Sequence, residues 1–314
     1  MTGRSALRTG VLALLWGSAF LWIELALTGF SPAQVAVVRC ALGAGVLLVL
    51  ARRSRQRLPR GLWPHLVVAA LFCNAVPFLL FGIGQQSVDS GVAGVLNATT
   101  PLWSLLIGLL LGSERGTTPT RVLGLVLGFG GVLLIFAPWR GGVPGWGVLA
   151  LAAAAASYAV AFAHMGRTLV GHGAPLAVSA AQLAAATGLS ALALPFDRAP
   201  ATPNATAVVA VVVLGVFATG VTFVLNYRVI EEEGATSAAT VGYLLPVVSV
   251  ALGAVVLGEP LTPRVVLGVL VVLAGVAMTR TAPAKRPPER RPPYQLSVMS
   301  TQRDVPRGRS ADLG

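Results

Sequence analysis

Apolar stretches of about twenty residues recur ten times along this chain, separated by short segments rich in Gly, Pro or charge. They run over 9–28, 33–51, 64–84, 90–111, 120–138, 146–165, 175–195, 206–227, 236–257 and 263–280. A helix needs about 20 residues to cross the roughly 30 Å of bilayer hydrocarbon, so each stretch predicts a spanning helix. The first follows Arg4 and Arg8 and so imitates a secretory leader. It carries Glu24 and has no A-x-A cleavage pattern, so it is expected to stay as a helix. From about Ala282 the apolar pattern stops, and a Pro- and Arg-rich segment beginning APAKRPPERRPP takes over.

Composition narrows the class. Of 314 residues, 55% are hydrophobic and 11% charged, whereas soluble domains carry about a quarter charged residues. Such a chain cannot cover a water-facing surface, which excludes a soluble enzyme. The expected fold class is all-α: a polytopic membrane protein of ten transmembrane helices. The net charge of +12 belongs to loops and tail. With the N-terminus in the cytoplasm, Arg4, Arg8, Arg52, Arg53, Arg55, Arg57, Arg60, Arg115, Arg121, Arg167, Arg228 and the basic tail fall inside. Only Arg140, Arg198 and Arg264 fall outside. That asymmetry follows the positive-inside rule and predicts a cell-membrane protein with both termini cytoplasmic. No folded basic module is present, so no nucleic acid partner is expected. The tail is expected to be disordered, its cations meeting anionic membrane lipids.

The chain repeats itself. Val88–Glu114 superposes on Glu233–Glu259 at an offset of 145, placing Pro101 on Pro246 and Glu114 on Glu259. Pro32 and Arg39 fall on Pro175 and Gln182 at 143, and Gly124 and Gly131 fall on Gly268 and Gly275 at 144. The domains read from this are 1–140 and 141–281, two five-helix copies, followed by the tail at 282–314. An odd number of spans makes the second copy enter the bilayer upside down. Inverted repeats are a common build of secondary transporters, with the site near the midplane between the copies.

Several motifs then point to a family. The first span reads LLWGSAFLWIELAL, the second carries Arg39, and the fourth and ninth end as PLWSLLIGLLLGSE and PVVSVALGAVVLGEPLT. These are followed by R-V-L-G-x-x-L and R-V-V-L-G-V-L. In order, spacing and duplication they resemble the EamA family of the drug/metabolite transporter superfamily, over roughly residues 9–280. The resemblance implies ten helices, a central cavity, and export or exchange of small metabolites. No Walker sequence is present, so the mechanism expected is secondary transport by alternating access.

Glu24 and Arg39 are the charges placed inside spans, each costing about 2.5–3.5 kcal/mol at mid-bilayer. Helix rise puts them about 6 Å and 9 Å below the same surface, so an ion pair is expected. It reads either as a gate or coupling element, or as a structural lock on a helical hairpin. Pro101 and Pro246 sit mid-span and predict paired kinks, as packing features or as hinges of a cavity. The substrate-binding candidates are Trp16, Asn74, Asn97, Tyr158, Thr219, Thr222 and Tyr243, where amides, hydroxyls and aromatic faces reach the midplane. Asn74 and Thr219 are mates at offset 145, and Trp16 and Tyr158 at 142. With one carboxylate well inside a span, neutral or zwitterionic metabolites such as amino acids are the expected substrates. Glu114 and Glu259 are expected to cap the helices that follow them. Gly124-x-x-x-Gly128 permits close helix packing, within the chain or across a dimer, so monomer and homodimer both stay open. Cys40 and Cys73 read as free buried thiols. His65, His164 and His172 have no ligand partners at metal spacing, so no metal or cofactor is expected. An intramembrane lipid-modifying enzyme would need clustered His, Asp or Cys, and none is found. A non-transporting scaffold would lack polar midplane residues.

Overall fold

Helices are the economical answer to hydrocarbon, because each satisfies its own backbone groups. The computed structural model describes residues 3–56, 60–110, 118–136, 145–169, 172, 174–197, 199–233 and 235–280, and every regular element among them is helical. The tail at 282–314 and Glu114 lie outside the described residues. Helical segments long and apolar enough to cross a membrane are Leu7–Ala26, Pro32–Arg53, Trp63–Gln85, Ser90–Leu110, Trp146–Thr168, Pro175–Phe196 and Ala205–Asn226. At the places of the fifth, ninth and tenth expected spans stand shorter apolar helices, Pro119–Ile135, Leu244–Leu257 and Pro263–Thr279.

The elements in chain order are α1 (Gly3–Gly17), α2 (Ala19–Ala26), α3 (Pro32–Arg53), α4 (Trp63–Ala70), α5 (Val76–Gln85), α6 (Ser90–Asn97) and α7 (Thr100–Leu110). After them come α8 (Pro119–Phe136), α9 (Trp146–Thr168), α10 (Pro175–Ala191), α11 (Ala205–Gly215), α12 (Thr222–Glu233), α13 (Ala235–Leu257) and α14 (Pro263–Arg280). Two π-helical segments interrupt the third and eighth spans: π1 (Leu71–Ala75) between α4 and α5, and π2 (Val216–Val221) between α11 and α12. Their starts are 145 residues apart, the same offset that relates Asn74 to Thr219.

Local chemistry explains the joints. Ser31 and Gln34 form a capping box, with Pro32 in the first turn, so α3 starts at a defined residue. Arg39 follows seven residues later, about 10 Å along the axis. In the third span Pro77 has no N–H to donate. Nearby, the carbonyl of Phe72 in π1 accepts instead from the Ser157 hydroxyl at 2.7 Å. In π2 the Thr219 hydroxyl donates back to the Leu214 carbonyl at 2.8 Å. The fourth span is broken at Ala98 and Thr99, and Pro101 stands in the first turn of α7. It is therefore not a mid-helix kink. A proline in a first turn forfeits no hydrogen bond, because those N–H groups lack helical partners anyway. Pro246 does lie inside a continuous helix, α13.

Small residues set the tightest contacts. The longest helix–helix seam joins α8 to α14, and it is a glycine seam. A Cβ on Gly124 would sit 2.7 Å from the Gly275 carbonyl oxygen, and one on Gly131 would sit 2.9 Å from that of Gly268. The Gly124 stripe is thus occupied within the chain. The contacts are also reciprocal: Gly124 meets the mate of Gly131, and Gly131 meets the mate of Gly124. The main apolar core, with Phe20, Ile23, Val35, Phe81, Leu96, Leu151 and Leu214, gathers α2, α3, α5, α6, α9 and α11 around the centre.

One end of the bundle gathers the turn at 27–31 and the stretch 199–204, through Asn204 Nδ2 to the Thr28 carbonyl (3.3 Å) and Gln34 Nε2 to the Ala199 carbonyl (3.3 Å). The other end brings Gln56 to the Ala177 N–H (3.3 Å) and His65 against His164. Gly131 and Gly130 are neighbours with opposite surroundings, since no atom lies within 4 Å of a Cβ on Gly130. Gly131→Leu should therefore cost about 1–3 kcal/mol by overpacking, while Gly130→Leu should leave stability nearly unchanged. Thermal unfolding of the purified variants in detergent checks the pair.

Candidate binding cavity

A cavity of about 660 Å³ lies between the helices. Its lining includes Trp16, Phe20, Ile23, Arg39, Asn74, Phe78, Phe81, Asn97, Pro101, Tyr158 and Thr219, and extends to Arg121, Met165, Asn226 and Thr279. Five of the seven substrate candidates, Trp16, Asn74, Asn97, Tyr158 and Thr219, therefore meet at one space. Thr222 does not. It is fully buried, and its hydroxyl turns back on its own helix, to the carbonyls of Ala218 (3.0 Å) and Thr219 (2.8 Å). That is the usual resort of a threonine facing helix packing. The side chain of Tyr243 lies outside the described residues. Of the prolines, Pro101 lines the cavity.

The polar centre is two hydrogen-bonded pairs that cross between the halves. Arg39, on α3 and 7% exposed, donates from Nε to the Thr219 hydroxyl in π2 at 2.8 Å. Gln182, on α10 and 1% exposed, donates from Nε2 to Asn74 Oδ1 in π1 at 2.7 Å. Arg39 and Gln182 are sequence mates, as are Asn74 and Thr219. Each donor on one half meets the acceptor of the other. Gln182 reads in sequence as the residue that breaks the symmetry of Arg39. The structure assigns it the same task, an N–H donated across the interface. It was missed as a site residue although the 143-residue offset points to it.

The π segments matter to this geometry. An extra residue in a turn rotates the side chains that follow and leaves carbonyls free for other donors, and such segments recur at functional sites. Close approach of α3 to π2 completes the fit: a Cβ on Gly43 would meet the Thr219 methyl at 2.9 Å, and one on Gly215 would meet the Leu42 Cβ at 2.7 Å. The Arg39 guanidinium carbon lies 3.6 Å from the centroid of the Phe78 ring, a cation–π contact. Aromatic rings continue along the wall. Phe20 packs edge-on to Phe81 (5.4 Å), Phe81 approaches Tyr158 (6.1 Å), and Tyr158 stacks on Phe162 (5.8 Å).

Glu24 is not paired with Arg39. Its carboxylate accepts from Gln85 Nε2 at 3.3 Å, and the same amide nitrogen donates to the Phe20 carbonyl at 2.8 Å. Depth along the helices matches, as helix rise requires, but direction around the axis does not: Arg39 turns into the cavity and Glu24 toward α5. Glu259 also departs from expectation. It caps α6 rather than α14, accepting from the N–H groups of Ser90 (2.6 Å) and Gly91 (2.9 Å). Gly258, at φ +69°, turns the chain back after α13 and lets the carboxylate reach across. A carboxylate on two N-terminal N–H groups is favoured by both hydrogen bonding and the helix dipole. Asp89 sits at the N-cap position of α6 with no side-chain cap bond. Partial desolvation of this exposed residue, reinforced by the neighbouring Glu259, raises its carboxyl above the ordinary range. Cys40 and Cys73 are free and buried, and Cys73 touches the cavity.

The sequence profile of the EamA-like transporter family matches twice, over residues 7–137 and 145–281. The chain belongs to the EamA-like transporter family. An uncharacterized transporter of Archaeoglobus fulgidus is 27% identical over 272 residues, covering 85% of this chain and 96% of the relative. An uncharacterized protein of Pseudomonas aeruginosa is 30% identical over 284 residues, covering 88% and 95%. The uncharacterized inner membrane transporter YedA of Escherichia coli is 28% identical over 260 residues, covering 80% and 82%. A solved crystal structure superposes with a TM-score of 0.61 at 22% identity, over 89% of this chain and 97% of that one, and so shares the fold. As an EamA-family chain with this many apolar helices, the protein is a multi-pass membrane protein.

In this EamA-family cavity, Asn74→Leu should leave the Gln182 amide buried without its partner and cost about 1–3 kcal/mol. Adding Gln182→Leu should recover most of that loss, and a double-mutant cycle on thermal unfolding measures the coupling. For Asp89 the folded-state value lies above that of the unfolded chain, so ionisation costs stability as pH rises through the interval between them. Asp89→Asn should remove that decline, with no loss of stability at neutral pH, as read from melting temperature against pH.

Proposed function

We propose that the protein is a secondary transporter, an exporter or exchanger of small neutral or zwitterionic metabolites such as amino acids, working by alternating access around the central cavity. The observation that carries this reading is the pair of crossed contacts, Arg39 with Thr219 and Gln182 with Asn74. Arg39, Asn74 and Thr219 line the cavity, and each contact joins a residue of one half to a residue of the other. The reciprocal glycine seam supports the same arrangement. Together they favour ten spans in two inverted five-helix copies related by an axis in the membrane plane. Two like halves packed oppositely can exchange conformations at nearly equal energy, which opens one site to either side in turn.

The ends of the bundle support a direction for the conformation at hand. At the end with the 27–31 turn, Glu259 clasps the start of α6, Glu24 binds Gln85, and Phe20 packs on Phe81. Cavity lining reaches the other way, to Arg121 at the start of α8 and to Thr279 near the end of α14. With both termini cytoplasmic, as the arginine distribution favours, this is an inward-directed cavity under a closed outer gate. Glu24 belongs to that gate through Gln85 rather than through Arg39. Relatives named as transporters favour this reading over a lipid-modifying enzyme or a passive scaffold.

Purified protein in liposomes, preloaded with one of a panel of neutral and zwitterionic metabolites, should show saturable flux stimulated by solute on the opposite side. Thr219→Val, which removes the Arg39 acceptor, should reduce that flux at least about tenfold at equal reconstitution. Absence of flux across the panel would contradict transport.

A further inference from the structure

A cation enclosed by a membrane bundle calls for an anion, and no described residue supplies one to Arg39. Its Nε is taken by Thr219 and its flat face by Phe78. Both terminal nitrogens of the guanidinium carry no hydrogen bond among the described residues, and neither is sealed in by protein atoms, so both open onto the cavity. Among the described lining residues there is no Asp or Glu. Glu24 is engaged with Gln85.

Charge and shape combine. A guanidinium presents a planar fork that matches the two oxygens of a carboxylate, and burial strengthens the match by excluding water. The same cavity is lined by Phe20, Phe81, Tyr158 and Phe162, in a continuous series of ring contacts. Hydroxyls and amides are present, but no side chain among the described lining residues offers a full negative charge to an ammonium group. The site therefore holds a negative head at Arg39 and an apolar body along the rings.

We propose that the cavity recognises amphipathic organic carboxylates, the carboxylate bound by the terminal nitrogens of Arg39 and the apolar body laid on the Phe20–Phe81–Tyr158–Phe162 wall. The proposal rests on the transport reading and moves its substrate class from neutral and zwitterionic metabolites to organic carboxylates, zwitterions included: the carboxylate is required, a free amine adds nothing, and uncharged or cationic solutes of the same shape are rejected. Thr219 and Phe78 act as positioning residues that fix the guanidinium plane.

The test is equilibrium binding to the purified full-length protein in lipid nanodiscs, read by the shift in melting temperature and by tryptophan fluorescence. Four probes share one phenyl body: phenylacetate, phenylalanine, phenylacetamide and phenethylamine. Phenylacetate should bind tightest, with phenylacetamide weaker by about tenfold or more and phenethylamine weaker still. In Arg39→Gln the acid and its amide should bind within about threefold of each other. If that variant does not fold, Phe78→Leu, which keeps the charge but frees its plane, should narrow the acid-to-amide preference. A carboxylate bound no tighter than its amide, absence of binding by both included, would overturn the proposal, as would a full preference retained in Arg39→Gln. Counterflow of the same probes in liposomes separates the two claims. Acid-selective binding without flux upholds carboxylate recognition and removes transport. Flux of the amide or amine at the rate of the acid upholds transport and removes carboxylate recognition.

Discussion

A polar side chain inside a membrane bundle must find its partner within the protein, because lipid offers none. In this chain that constraint falls on Arg39, Asn74, Gln182 and Thr219, and it is met by crossing: each half supplies a donor on its second span and an acceptor in its third. Without Thr219 the guanidinium would have one aromatic face and, among the described residues, no acceptor, and without Asn74 the buried Gln182 amide would lose its amide partner. Such pairs hold the halves in register while making few contacts, which would suit the two arrangements of the proposed alternating-access cycle. The reciprocal glycine seam of α8 and α14 provides the rigid counterpart, since backbones that approach this closely tolerate little sliding.

Much of the fold is legible in the sequence because hydrocarbon simplifies the code. Span lengths, glycine spacing and the offsets near 144 residues are linear properties: seven of the ten expected spans are long and apolar enough to cross a membrane, and the glycine offsets reappear in the α8–α14 contacts. Rotation around a helix axis is not linear in this way. Rise per residue puts Glu24 and Arg39 at one depth, yet α3 is turned by its close contact at Gly43 and Gly215, which aims Arg39 at π2 and away from Glu24. The π segments were equally hidden. Leu71–Ala75 and Val216–Val221 read as ordinary apolar helix, and their extra residue depends on Pro77, on the Ser157 hydroxyl and on Thr219 bonding its own backbone.

The candidate site divides along the same line. Residues chosen for polarity near the midplane, Trp16, Asn74, Asn97, Tyr158 and Thr219, converge on one cavity, since depth is what the sequence encodes. Thr222 was chosen by the same criterion and faces its own helix backbone. The phenylalanines of the wall carry no local signal in an apolar span. Gln182 is an amide like Asn74, and its mate relation to Arg39 is the signal in the sequence that singles it out. Glu259 shows a further limit: an acid placed before one helix caps another, 169 residues away in sequence, because the Gly258 turn decides where it reaches.

The account stands or falls on the two halves being inverted copies. Thr28 and His172 occupy corresponding turns, after the first and sixth spans, and both are exposed, while the native cysteines are buried. Thr28→Cys and His172→Cys, each labelled in intact cells and in inside-out vesicles with a membrane-impermeant maleimide, read the sidedness of those turns. The account predicts labelling from opposite faces, the first from outside and the second from the cytoplasm. Labelling of both from the same face would contradict it.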